Sequence, residues 1–182
     1  MSDDKKAKGS KKKSKSSDNA TKGSENGNGS VAPEQAQFNV LAQFIKDLSF
    51  ESPNTPASLR GPGDDPNLQV DVTVAADKIE DGVYEVVINF VADAANKAGA
   101  IYKLELVYGG LFSLHNMPDH IKHPVLFVNC PTLLFPFLRR IVADLTREGG
   151  FPPLMLDPID FASLYKQNLD KANADKKEKA DS

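Results

Sequence analysis

The stretch Asp81-Gly82-Val83-Tyr84-Glu85-Val86-Val87-Ile88-Asn89-Phe90-Val91, residues 81–91, carries the clearest structural signal in the chain. After a turn-forming pair, large side chains recur at every second position, namely Tyr84, Val86, Ile88 and Phe90. In a strand, such side chains point to one face of the sheet. The opposite face mixes Glu85 and Asn89 with Val83, Val87 and Val91. The pattern predicts a strand over residues 83–91 with one buried face.

Three more segments on either side of this stretch have strand character. Residues 68–75 alternate before it, with Leu68, Val70, Val72 and Val74 on one face. Residues 101–108 alternate after it. The connections at 81–82 and 96–99 are short, which favours an antiparallel meander. A first strand is predicted over residues 44–51, because Pro53 and Pro56 end that apolar run.

Helical spacing replaces the alternation in the last third of the chain. Leu134, Leu138, Ile141 and Leu145 predict a helix over residues 131–148, with Pro136 in its first turns and Gly149 at its end. A last helix is predicted over residues 160–169. Strands followed by helices indicate an α+β fold. One helical layer covers only one face of the sheet, so the apolar side chains of the second face are expected to be covered by another chain.

Composition divides the 182 residues into a domain and two tails. Residues 1–37 are rich in Lys, Ser and Gly and are predicted to be disordered. Their run Lys11-Lys12-Lys13 is either part of a solvated flexible tail or a contact for RNA or acidic lipid headgroups. A domain is expected over residues 38–170, where 10 Lys or Arg face 17 Asp or Glu, and a flexible charged tail over residues 171–182. The acidic domain argues against nucleic acid as a partner and suits basic partners.

The single cysteine and the hydropathy pattern indicate the cellular compartment. Cys130 cannot form an intrachain disulfide, and no N-terminal apolar stretch resembles a secretory signal. No run of about 18 consecutive apolar residues indicates a spanning helix. The sequence therefore predicts a soluble protein of the reducing cytoplasm that does not insert into the membrane.

The sequence gives little support for a catalytic site. His115, His120 and His123 lie within nine residues, but they do not form an H-E-x-x-H pattern and have no cysteine partner pattern. A metal-dependent hydrolase using these histidines is the enzyme alternative, and a Cys-His nucleophile at Cys130 is a second. Cys130 stands among large apolar residues, which favours a buried thiol. We predict no enzyme, no metal and no cofactor.

Carboxylates form the other polar cluster. Asp47 and Glu51 are four residues apart, so they share one face of the predicted first strand. Glu85 and Glu105 lie on strands that are neighbours in a meander. These positions predict an acidic patch on one face of the sheet. Their spacing alone indicates that the carboxylates are solvated surface groups.

Several blocks, in one order, resemble the SecB family of protein-export chaperones over residues 38–169. The matching blocks are residues 47–54 (DLSFESPN), 81–87 (DGVYEVV), 109–112 (GGLF), 130–136 (CPTLLFP), 150–154 (GFPPL) and 156–161 (LDPIDF). The resemblance implies a four-stranded antiparallel sheet with helices packed on one side, assembled as a homotetramer that is a dimer of dimers. It also implies an ATP-independent chaperone that holds unfolded precursor proteins and delivers them to the SecA ATPase.

The resemblance further implies a docking surface. Asp47, Glu51 and Glu105 stand at the family's motif positions for acidic residues that bind a basic, zinc-bearing tail of SecA. The zinc belongs to that partner. Lys103 departs from the family pattern, in which an apolar residue is expected beside the acidic position.

An unfolded chain is held by extended apolar surface and by backbone groups able to pair with a strand. The candidates for the client groove are Phe44, Phe50, Leu68, Val70, Val72, Tyr102, Phe151 and Leu154. Each is alternatively an ordinary core residue. A SecB-like chaperone dedicated to a toxin-antitoxin pair is the alternative function.

Overall fold

The computed structural model describes residues 35–61 and 63–180, without the side chains of residues 174–180. Four strands form one antiparallel sheet: β1 (Gln37–Glu51), β2 (Asn67–Glu80), β3 (Val83–Asn96) and β4 (Gly99–His115). The prediction of disorder over residues 1–37 concerns residues that lie almost entirely outside this description, although β1 already begins at Gln37.

The strand order is β1-β4-β3-β2. The predicted meander is confirmed for β2, β3 and β4, which are joined by the tight turns at Asp81-Gly82 and Lys97-Ala98. Gly82 has φ +72, a backbone conformation that glycine adopts without steric cost. β1 is not part of the meander, because residues 52–66 carry the chain across the sheet and β1 pairs with β4.

Cross-strand register confirms the predicted buried face. Val86, Ile88 and Phe90 of β3 share this face with Leu104 and Leu106 of β4, and all five are at most 1% exposed. We call it the helix-side face, because the buried residues of the helices pack in the same core. Burial of side chains of this size stabilises a fold by about 1.5–3 kcal/mol each. This layer is therefore the main source of stability.

Two helical segments cover that face. The chain from Asp119 to Glu148 is continuously helical: α1 (Asp119–Pro124), a π-helical turn (Val125–Asn129) and α2 (Cys130–Glu148). The stretch is long and apolar enough, by length and composition, to cross a membrane. A core helix passes the same test, and α2 buries Cys130, Leu134, Leu138 and Val142 in the core.

Both ends of the helical layer differ from the predictions. The helix predicted over residues 131–148 is confirmed, but the segment from Asp119 was missed, because Pro118, Pro124 and Pro131 look like breaks in sequence. The last helix, α3 (Phe161–Ala180), continues beyond residue 169, where a flexible tail was predicted from residue 171. Lys, Ala, Gln and Glu favour helix without burying apolar surface.

The second face, which we call the open face, is not covered by helices. Val87 lies on it yet is only 8% exposed, because the ring of Phe44 lies over Gly109 beside it. Val87 is therefore covered within the single chain, whereas Val83 and Val91, the other apolar residues expected on this face, are partly exposed. β1 and α2 both carry exposed apolar side chains, at Val40, Leu41, Ile45, Leu48, Leu133 and Phe137.

Candidate functional site

Three aromatic rings meet at one end of the helix-side face. Phe50 stands near the end of β1, Tyr102 near the start of β4, and Phe151 just after α2. Their ring centroids are 5.7 Å apart for Phe50–Tyr102, 5.1 Å for Tyr102–Phe151 and 6.4 Å for Phe50–Phe151. These separations are typical of stabilising aromatic contacts. The cluster forms the floor of what we call the aromatic cleft.

The walls of the aromatic cleft are largely apolar. Leu59, Ile101 and Pro152 line a cavity of about 440 Å³ with Tyr102 and Phe151. On the edge strand β2, Leu68 and Val70 point to the helix-side face and are 42% and 41% exposed. Within the described residues, the outer backbone edge of β2 is not paired with another strand. The cleft therefore combines apolar surface with open strand hydrogen-bonding groups.

Thr146 fixes the segment that carries Phe151 and Leu154. Its side chain is fully buried near the end of α2. The backbone N–H of Leu154 donates to Thr146 Oγ1 at 2.9 Å, and the N–H of Phe151 donates to the Thr146 carbonyl at 3.0 Å. Gly149 makes the turn possible, because a Cβ there would lie 2.6 Å from the ring of Phe50.

We expect Thr146→Val to reduce the free energy of unfolding by about 1–2 kcal/mol, because the Leu154 N–H would lose its acceptor. Thr132→Val is the matched control: its hydroxyl also donates to the carbonyl four residues earlier, that of Val128, but Thr132 is exposed. Urea unfolding of both variants measures the difference. Equal stability of the two would show that Thr146 does not anchor the segment.

The structure brings together seven of the eight predicted groove residues on one face. Tyr102 and Phe151 line the cavity, and Phe50 packs against both. Leu68 and Val70 lie beside it on β2, where Leu68 pairs with the cavity residue Ala94. Val72 and Leu154 pack against the main core. Phe44 lies on the open face instead. The cause is a bulge between Ile45 and Asp47, which shifts the register so that Phe44 and Phe50 point to opposite faces.

Carboxylates dominate the open face. Asp47 pairs with Val107, Glu51 with Lys103, and Ser49 with Glu105, so Asp47, Glu51 and Glu105 lie in three adjacent rows of β1 and β4. We call the following set the acidic face: Asp47, Glu51, Asp71, Asp77, Glu85, Asp93 and Glu105. Glu85 was predicted to belong to this patch, but Asp71, Asp77 and Asp93 were not, although their alternation in β2 and β3 was a usable signal.

Two lysines make ion pairs on this face. Lys103 Nζ lies 2.7 Å from Glu105 Oε1, and Lys46 Nζ lies 2.6 Å from Glu85 Oε2. The hydrogen bond and charge of Glu105 raise the pKa of Lys103, and the charges of Asp93 and Glu51 raise it further. Five of the seven carboxylates make no such pair among the described residues.

The histidines do not converge. His115 ends β4, His120 is an exposed residue of α1, and His123 shares a hydrogen bond of 2.6 Å with the Tyr165 hydroxyl. In the part of the chain that is described, no group of three His, Cys, Asp or Glu side chains is arranged to hold a metal ion. Cys130 is fully buried, and burial raises the pKa of its thiol to about 12.

We expect Cys130 to resist alkylation by iodoacetamide at pH 8 in the native protein. The thiolate is the reactive form, and with a pKa of about 12 roughly one thiol in ten thousand is ionised at that pH. Mass spectrometry after timed exposure measures the modification, and the same reaction in urea is the positive control. Labelling at equal rates in both conditions would contradict the buried position.

An apolar cleft beside an unpaired strand edge is suited to binding an extended polypeptide. A polypeptide-binding chaperone would need a site of this kind. A sequence profile described as "Preprotein translocase subunit SecB" matches residues 31–172. The chain belongs to the SecB family.

Curated relatives carry the same family name. "Protein-export protein SecB" of Bradyrhizobium sp. (strain BTAi1) is 49% identical over 152 residues, 82% of this chain and 93% of that protein. The protein of that name from Mesorhizobium japonicum is 46% identical over 157 residues, 86% of this chain and 93% of that protein.

A solved structure supports the fold. A SecB-like chaperone of Mycobacterium tuberculosis, in complex with a peptide from an antitoxin, superposes with a TM-score of 0.55. It is 17% identical, and the match covers 67% of this chain and 90% of that chain.

Proposed function

We propose that this protein is an ATP-independent holdase that binds unfolded secretory precursors in the aromatic cleft and delivers them to the SecA ATPase. The observation that carries the proposal is the position of the cleft beside the open edge of β2. Apolar burial and backbone pairing do not depend on a particular sequence, which suits a protein that must accept many clients.

Binding proceeds without a chemical step in this proposal. An extended client segment lies along β2, where Leu68 and Val70 expose alternate side chains on the helix-side face. Aromatic or aliphatic client residues enter the cavity lined by Tyr102 and Phe151. The contacts are apolar and hydrogen-bonded, so neither a cofactor nor catalysis is required.

Assembly as a homotetramer, a dimer of dimers, is part of the proposal. β1 is the second edge of the sheet, and its exposed Val40, Ile45 and Leu48 lie on the helix-side face. Two β1 edges can pair about a twofold axis, which protects both edges and extends the sheet. The exposed Leu133 and Phe137 of α2 offer apolar surface for a second contact.

SecA docks on the acidic face in this proposal. Asp47, Glu51 and Glu105 lie together on the open face, opposite the aromatic cleft. Client and ATPase therefore bind to different sides of the sheet. We infer a cytoplasmic location without membrane insertion, since the precursors, the ATPase and the thiol of Cys130 all suit a reducing compartment.

A chaperone dedicated to a toxin-antitoxin pair is the second candidate. The antitoxin-peptide complex of the Mycobacterium tuberculosis protein favours it, but that protein is 17% identical. Relatives at 46–49% identity carry the protein-export name, and they favour the holdase.

Light scattering of an unfolded secretory precursor diluted from denaturant tests the holdase. We expect aggregation to be suppressed at near-stoichiometric tetramer without nucleotide, and the mass in solution to be that of four chains. Unchanged aggregation together with a monomeric mass would contradict the proposal, and an antitoxin tail would then be the ligand to test.

A further inference from the structure

Lys103 stands in the middle of the carboxylates proposed to dock SecA. On β4 it pairs directly with Glu51 of β1 on one side and with Asp93 of β3 on the other. Glu105 follows two residues later on the same face and holds its ammonium group at 2.7 Å. Directly paired residues lie about 5 Å apart, so Lys103 is within reach of three carboxylates.

The two lysines of the open face have different surroundings. Lys46 pairs with Glu85, whose side chain is only 13% exposed, so this lysine compensates a largely covered charge. Lys103 pairs with Glu105, and their side chains are 48% and 41% exposed. An exposed ion pair contributes little to stability, and another cation in solution can compete for its carboxylate.

We propose that Lys103 is a built-in competitor of the basic partner and determines how tightly the acidic face binds it. The inference rests on the docking proposed above and adds the residue that regulates it. A partner ammonium or guanidinium group that approaches Glu105 must displace Lys103 and then stay close to a like charge. Both steps weaken binding, and they discriminate against partners that rely on a single cation.

The effect is local rather than a matter of net charge. Charges separated by more than about 10 Å are largely screened at 0.1 M salt. A lysine elsewhere on the sheet therefore changes docking much less than Lys103. Lys97 offers the comparison, because it lies in the β3–β4 turn, outside the acidic face.

Calorimetric titration of the full-length protein with purified SecA, and in parallel with an acetylated nona-lysine peptide, tests the inference. We expect Lys103→Gln to tighten binding of both about 5-fold at 100 mM salt, and the gain to disappear at 500 mM salt. Lys97→Gln makes the same charge change and should alter the affinity less than about 2-fold. Lys103→Arg should bind both probes with the wild-type affinity, because it keeps the competing cation.

The outcomes are distinguishable. Equal gains for Lys103→Gln and Lys97→Gln would show that net charge governs docking, and no gain for Lys103→Gln would show that Lys103 does not compete. Either result overturns the inference and leaves the docking face in place. A wild-type protein that binds neither probe while still suppressing aggregation overturns the docking proposal, and the role of Lys103 with it.

Discussion

We expect Phe151→Ala to weaken the binding of unfolded precursor by about 2 kcal/mol, roughly 30-fold, because an aromatic side chain at the centre of a binding site is the kind that dominates affinity. Phe151 contacts both Phe50 and Tyr102, and it lines the cavity of the aromatic cleft. Its removal opens the cleft without removing a fully buried core residue. Fluorescence titration with a labelled, permanently unfolded precursor measures the affinity.

Phe127→Ala is the matched control for that variant. Phe127 is also a partly buried phenylalanine of the helical layer with two aromatic neighbours, His123 and Tyr165. It lies outside the aromatic cleft, so its loss should leave precursor binding near the wild-type value. Urea unfolding identifies any general loss of stability. Precursor affinity that falls equally in both variants would locate client binding elsewhere.

The sheet was largely predictable, because its signal is local. Alternation in residues 83–91 identified the face that Val86, Ile88 and Phe90 bury, and the short turns fixed the neighbours of β3. The position of β1 was not predictable in the same way. Its partner is β4, which lies about 60 residues away in sequence, and no turn specifies that pairing.

Phe44 shows why the predicted groove residues do not all lie on one face of the sheet. Regular alternation would place residues 44 and 50 on one face, since they are separated by an even number of positions. The bulge between Ile45 and Asp47 adds one unpaired residue, so the two side chains point to opposite faces. A bulge depends on pairing with β4, so the pattern of β1 alone cannot reveal it. Asp47 and Glu51 both follow the bulge, and their shared face was predicted correctly.

The segment after α2 illustrates a different limit. Phe151 was predicted as a groove residue, but Leu59 and Ile101, which line the same cavity, were not. Leu59 lies in a 3-10 turn at residues 57–60 of the crossing connection, where sequence offers no periodicity. Thr146 was also missed, since a buried threonine that accepts a backbone N–H from eight residues later has no sequence signature.

We expect Glu105→Lys to weaken SecA docking about tenfold at low salt and to leave precursor holding intact, because it reverses one charge at the proposed docking surface and removes no apolar contact. Glu105 lies between the rows of Asp47 and Glu51, so a lysine there adds a second cation beside Lys103. Asp170→Lys makes the same charge change at an exposed position of α3, which packs on the helix-side face, and this variant should bind SecA with the wild-type affinity.

Titration with purified SecA at several salt concentrations, with the aggregation assay run on the same samples, separates the two functions. The defect of Glu105→Lys should shrink as salt rises, since screening weakens both the lost attraction and the new repulsion. The acidic face and the aromatic cleft lie on opposite faces of one sheet, so a charge on the open face would not contact a client bound in the cleft. Parallel loss of docking and holding would contradict that separation, and would indicate that client and ATPase share a surface.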